Sequence, residues 1–371
     1  MKKIRILLLV GLLIGVNVKA GACRFTVREI AYSILSQTKF SLVIIDGKQS
    51  VNHPVIREIS ACERQLNLNT VVLNEKTDGT HPFVQLARDK GLKFPAYFIL
   101  APNNEILPLK EGASMSTSEL KRVFYQEILN SPVRKEFLTD CHASFARVVL
   151  LESADEAKNQ RASEMILNDC EQIQNLIPMM PKEIRMAPTV LTISQEQAKK
   201  EKVFLWSLGQ DSVVTEPRAV VLYGRARLMG QPLSYQQVLE GITYKYLSLI
   251  GADCECGLDR KWMLGRQALL KWTTESSQQL ATELGFDVDS PSILAEMSRI
   301  LAKEVDEENV NAISFGPDNI DVDKVLGMNK DDFNEEEVED DSSFLTVLFG
   351  SLGALVLIII SISVWYWKRS R

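Results

Sequence analysis

The residues best suited to chemistry lie in one short run, Gly251-Ala252-Asp253-Cys254-Glu255-Cys256-Gly257. Two thiols one residue apart can close a strained disulfide that exchanges readily with other thiols. As thiolates they can instead hold a soft metal such as Cu(I) or Zn, with Cys141 and His142 as further ligands. In a third reading each pairs with a distant cysteine, because the six cysteines form an even set of the kind that staples proteins outside the cytoplasm. Cys254 and Cys256 are therefore the candidate catalytic pair of a thiol–disulfide oxidoreductase or soft-metal handler. The chain has only three histidines, His53, His81 and His142, so a His-rich metal centre is not expected, and no metal or other cofactor is assigned. No Ser-His-Asp order, nucleotide-binding loop or paired-carboxylate motif stands out.

The two ends say where such chemistry would take place. Met1-Lys2-Lys3-Ile4-Arg5 precedes an apolar run over 6–16 too short to span a bilayer, and Ala20, Gly21 and Ala22 are small. That is the layout of a secretory signal, assigned to 1–20. Cys23 follows small residues, but Ala20 stands where a lipoprotein signal has a branched apolar residue, so a mature thiol or disulfide is the reading for it. Residues 344–367 carry no charge and match the roughly 20 residues a spanning helix needs. Trp365, Tyr366 and Trp367 form an aromatic belt, and Lys368, Arg369 and Arg371 give a positive cytoplasmic flank. The expectation is a single-pass protein of a bacterial-type cell envelope, periplasmic side out, held by a helix over 342–367 with a tail over 368–371. The formal charge of −6 falls to about −13 once the four cations Lys2, Lys3, Arg5 and Lys19 of the leader and the three of the tail are set aside. An ectodomain so acidic excludes nucleic acid as a partner and points to other envelope or membrane proteins.

Two stretches repeat one pattern of proline, strand, turn and return strand. They are Lys93-Phe94-Pro95 through Lys110, turning at Asn103-Asn104, and Glu216-Pro217 through Leu233. Around the first, an apolar strand over 40–46 leads to a helix opened by Pro54, a strand over 70–73, a helix opened by His81-Pro82 and closed by Gly91, the hairpin, and a helix over 116–129. Around the second, a strand over 145–151 leads to a long helix over 155–177, a strand over 188–193, a helix over 195–208, the hairpin and a helix over 235–250.

This β-α-β-α-β-β-α order resembles the thioredoxin fold, over roughly 40–130 and again over 144–250, and Phe94-Pro95 falls where that family places its cis-proline. The resemblance implies that Phe94, Pro95, Glu216 and Pro217 form peptide-binding edges whose main-chain groups pair with an extended chain. It also implies a Cys-x-x-Cys after the first strand, where this chain has Gly47-Lys48-Gln49-Ser50-Val51-Asn52-His53 and no thiol. The second copy departs in the same way.

The fold expected is α/β: two tandem thioredoxin-like domains over 21–132 and 133–260, the second ending in the Cys254/Cys256 corner. A short helical region over 261–305 follows, with helices near 278–284 and 292–305, then an acidic linker over 306–341 and the membrane helix. Function is read as redox-inactive protein binding or scaffolding of an envelope complex, with the Cys254/Cys256 chemistry as the alternative.

Overall fold

A computed structural model describes residues 24–35, 37, 39–46, 54–63, 65–180, 182, 184–251 and 265–302. The stretches expected to form the signal (1–20), the acidic linker (306–341) and the membrane helix (342–367) lie outside them, as do Cys23, residues 47–53, Cys254 and Cys256. Among the described residues no helix is long and apolar enough to cross a membrane.

In the first domain, β1 (Phe40–Ile45) pairs in parallel with β2 (Leu68–Leu73) and antiparallel with β3 (Ala96–Leu100), and β3 pairs antiparallel with β4 (Ile106–Glu111). The four-stranded order β2-β1-β3-β4 places β1 and β3 centrally. Both are apolar almost throughout because both their faces are covered. Phe40, Leu42, Ile44, Tyr97 and Ile99 face α2 (Pro54–Cys62) and the Thr117–Arg122 helix, α4. Val43, Ile45, Ala96 and Phe98 face α3 (Pro82–Asp89) on the other side. Past Arg122, α4 widens into a π turn over Val123–Leu129, and α5 (Pro132–Asp140), capped by Ser131, leads to the second domain.

The second domain repeats the plan. β5 (Arg147–Leu151) pairs in parallel with β6 (Thr189–Ile193) and antiparallel with β7 (Arg218–Tyr223), which pairs with β8 (Arg227–Leu233) in the order β6-β5-β7-β8. One face is covered by α6 (Glu156–Leu176), through Ala162, Ile166, Cys170 and Ile173. The helix expected over 195–208 is two pieces, α7 (Gln195–Lys200) and α8 (Lys202–Ser207), hinged at Glu201. Glu201 is buried, and its carboxylate accepts the Ser131 hydroxyl and the Val133 amide, which draws the chain off the helical path. The helix expected over 235–250 is likewise split, into α9 (Tyr235–Leu239) and α10 (Ile242–Gly251), at Gly241 with φ +73°.

Two segments beyond the repeats tie the domains together. The N-terminal α1 (Val27–Ala31), closed by a capping box from Thr26 and Glu29, buries Phe25, Val27, Ile30 and Ala31 in the second domain's core. Gly224, at φ +56°, lets the β7–β8 turn lie against it, since a Cβ there would sit 2.5 Å from that of Ala31. Residues 265–272 run extended between the domains as a strap. Arg266 and Ala268 exchange main-chain bonds with Leu228 and Ala226, and Trp272 donates to Gln65. Leu269 inserts into the first domain's core, while Ala268, Leu270 and Trp272 enter the second's. Buried Arg134 and Arg227 satisfy strap carbonyls at Leu269 (3.0 Å) and Gly265 (3.4 Å). Past the strap, α11 (Thr274–Leu284) and α12 (Pro291–Ala302) pack on the second domain.

Candidate functional site

The segment that enters β3 is held at both ends and open in the middle. His81 caps α3, its Nδ1 accepting the Phe83 amide at 3.1 Å, and Pro82 takes the first turn, where its missing N–H costs nothing. Gly91, at φ +75°, reverses the chain after α3 so that Leu92 N–H returns to the Ala87 carbonyl. The Lys93 amide is then fixed by the Glu111 carboxylate at 3.0 Å. Gly112 N–H is shared between the carbonyls of Lys93 and Pro95, at 2.9 Å each. Between them lies Phe94-Pro95, the cis peptide bond among the described residues. Its residues are half-buried, and the Phe94 ring rests under the Arg88 guanidinium at 5.7 Å. The main-chain N–H and C=O of Phe94 take no hydrogen bond from the described residues.

Behind this edge stands a polar pair that sequence reasoning missed. Asp46, 1 % exposed, ends β1 and accepts the Tyr97 hydroxyl, which in turn accepts the Met115 amide at 3.0 Å. Burial, and then the Asp46 carboxylate, push the Tyr97 phenol well above its usual range, so it stays a neutral donor. The pair fixes the ends of β1 and β3 against the segment before α4. Its only sequence signal was a carboxylate closing an otherwise apolar run.

The second copy of the edge is built differently. Glu216-Pro217 is trans, Pro217 is buried, and Glu216 is engaged by Lys158 at 2.6 Å. Lys158 also lies 5.5 Å from the Tyr235 ring. The two edges thus differ in the proline, cis and half-buried in one and trans and buried in the other, while the main chain of Glu216, like that of Phe94, makes no hydrogen bond with the described residues.

Cys254 and Cys256 lie outside the described residues, in the stretch between Gly251 and Gly265. Cys62, Cys141 and Cys170 are free thiols, so none of them forms the disulfide expected from the even cysteine count. Burial pushes both Cys141 and Cys170 up to about 12, far from the thiolate a nucleophile or metal ligand requires. No cluster of three or more potential metal ligands occurs among the described residues, and the His142 carbonyl is taken by Arg28 at 2.8 Å.

Beside the open edge lies a cleft of about 550 Å³ between the domains, walled by β4 on one side and by Trp206 and residues 209–211 on the other. Arg266 of the strap clamps both walls, reaching Glu105 at 3.2 Å and the Trp206 carbonyl at 3.0 Å. The Trp206 ring also packs 5.8 Å from Phe40 of β1.

No known family model matches the chain. No curated protein matches it in sequence. Among solved structures, human ERp44 in its zinc-bound form is similar at 14 % identity, over 76 % of this chain and 73 % of that one, with a TM-score of 0.20. The first two thioredoxin domains of Naumovozyma dairenensis Eps1p align at 11 % identity, over 52 % and 84 %, with a TM-score of 0.17. Those of Saccharomyces cerevisiae Eps1p align at 9 %, over 53 % and 85 %, with the same score. Likenesses at that level say nothing of function. The strand order speaks to the fold: two mixed four-stranded sheets, each β-α-β followed by an antiparallel hairpin, fit tandem thioredoxin-like domains.

Proposed function

We propose that this chain is a protein-binding module which captures an extended polypeptide on the main chain of Phe94. The observation that carries this reading is the half-buried Phe94, whose N–H and C=O have no partner among the described residues while Lys93 and Pro95 on either side are fixed. Unpaired main-chain groups on a rigid support are the elementary requirement for adding a strand from another chain. The Phe94 ring, with Arg88 above it, supplies an apolar platform beside them. The buried, high-pKa thiols Cys141 and Cys170 are unsuited to redox exchange, and the alternative reading rests on Cys254 and Cys256, outside the described residues. On this reading the module is anchored by the helix over 342–367 and displays the edge outside the cytoplasm to other envelope proteins.

Amide hydrogen exchange tests the proposal directly. With reduced, carboxymethylated lactalbumin as an unfolded client, the Phe94 amide should exchange freely alone and slow by about tenfold or more in the complex. Binding without protection at Phe94, or no binding at all, would refute it.

A further inference from the structure

The edge strand β4 raises a separate question, because sheet edges with free pairing groups are normally shortened, charged or covered. Among the described residues, the main chain of β4 bonds only to β3, and its cleft side is blunted only by Pro108, which lacks an N–H, and by the register shift opposite Tyr97 and Phe98. Its other side opens into the inter-domain cleft. The equivalent edge strand of the second domain, β8, is treated otherwise. There the strap pairs antiparallel at Arg227–Gln267, with Arg266 and Ala268 making the flanking main-chain bonds. The protein therefore already adds an extended segment to this position of its sheet once, within its own chain, and among the described residues leaves the first copy without one.

The lining of the cleft states what such a segment should carry. Glu111 spends one carboxylate oxygen on a backbone amide, and Asp211 is exposed with no hydrogen bond or ion pair among the described residues. The facing cation is Lys90, while Arg266 is already committed to Glu105. Gln210, 5 % exposed, lies in the same wall, and its Oε1 has no donor among the described residues. Half-buried Trp206 and Ile106 give the space between an apolar floor. Uncompensated negative charge and an unfilled acceptor call for donors and positive charge.

We infer that the cleft is a second binding site, which takes an extended, basic segment of another polypeptide as an added strand on β4. The six residues of β4 set its length at about 20 Å, or five to six residues at roughly 3.4 Å each. Alternate side chains of the guest face the cleft, so Lys or Arg at alternate positions meet Asp211 and Glu111 while the intervening residues point away. The main chain supplies affinity, and the carboxylates supply the choice of guest.

Fluorescence anisotropy on the full-length protein tests this with three labelled hexapeptides: alternating Val and Lys, alternating Val and Glu, and the Val-Lys peptide N-methylated on alternate residues. The basic peptide should bind, the acidic one should not, and N-methylation should weaken binding by roughly tenfold through loss of main-chain donors. Asp211→Lys, at an exposed position, should weaken the basic peptide by roughly tenfold with an unchanged melting temperature. Hydrogen exchange should slow the β4 amides that are not bonded to β3 (Pro108 has none) and leave the Phe94 amide as it was, which separates this site from the one proposed above. Equal binding of acidic and basic peptides, indifference to N-methylation, or protection at Phe94 in place of β4 would overturn the inference.

Discussion

Asp169→Asn is expected to stabilise the protein at neutral pH and to leave it nearly unchanged at pH 4. Asp169 lies on α6, 2 % exposed, facing the start of α10. Its carboxylate accepts the Tyr244 amide, but its Oδ2 has no partner among the described residues. Burial raises its pKa from 3.8 to about 6, with the Tyr244 bond opposing. The native state therefore holds a proton that the unfolded state has lost between those values, so stability falls as pH rises through that window. Each pKa unit is worth about 1.4 kcal/mol, which limits the penalty above pH 7 to about 3 kcal/mol. Relaxation and water around the carboxyl reduce it to about 2 kcal/mol. That figure already includes the opposing Tyr244 bond, and the asparagine keeps an acceptor for the same amide. The net gain is about 1–2 kcal/mol at pH 7.5, or a rise in melting temperature of roughly 2–6 °C for a unit of this size. Urea unfolding of both proteins at pH 4, 6 and 7.5 measures it. A difference independent of pH, or a loss at pH 7.5, would refute the assignment of Asp169 as a buried charge without compensation.

Two further substitutions probe the strap. Leu269→Ala removes a fully buried side chain from the first domain's core and should cost about 2–5 kcal/mol. Because the strap joins the domains, calorimetry should show the single transition separating into two; one transition with an unmoved midpoint would contradict that role. Gly265→Ala would drive a Cβ into the Leu228 carbonyl oxygen, well inside contact distance, and break the adjoining Leu228–Arg266 bond. Overpacking and the lost hydrogen bond together should cost roughly 2–4 kcal/mol, and a melting curve superposed on that of the parent would show the strap to be adaptable there.

The legible parts of this fold are those whose signal is local. The apolar run of β1, the Pro54 and Pro82 helix starts and the Phe94-Pro95 entry to β3 each declare themselves within a few residues, and each is where the sequence places it. The breaks at Glu201 and Gly241 were not, because Glu201 leaves the helical path for Ser131 and Val133, some seventy residues away. The strap falls in a stretch read as helical. Its extended path comes from partners at Leu66, Asn67 and Arg227, which no window of sequence around 265–272 contains. The candidate sites divide in the same way. Phe94 and Pro95 are singled out through the element order that resembles the thioredoxin fold, whereas the cleft has one wall from each domain and the Asp46–Tyr97 pair spans two strands, so neither has a local signature.

The two copies diverge at corresponding positions. In the second domain the proline is buried, the Glu216 side chain is held by Lys158, and the start of β8 is paired by the strap at Arg227. In the first domain Phe94-Pro95 is half-buried, and the edge strand β4 opens to a charged cleft. Covering one copy makes it a rigid support, because ordering its edge adds bonds that persist in the free protein. On the function proposed above, the first copy would meet its guest on a surface already fixed by Gly112, Glu111 and Arg266, which lowers the entropy lost on binding.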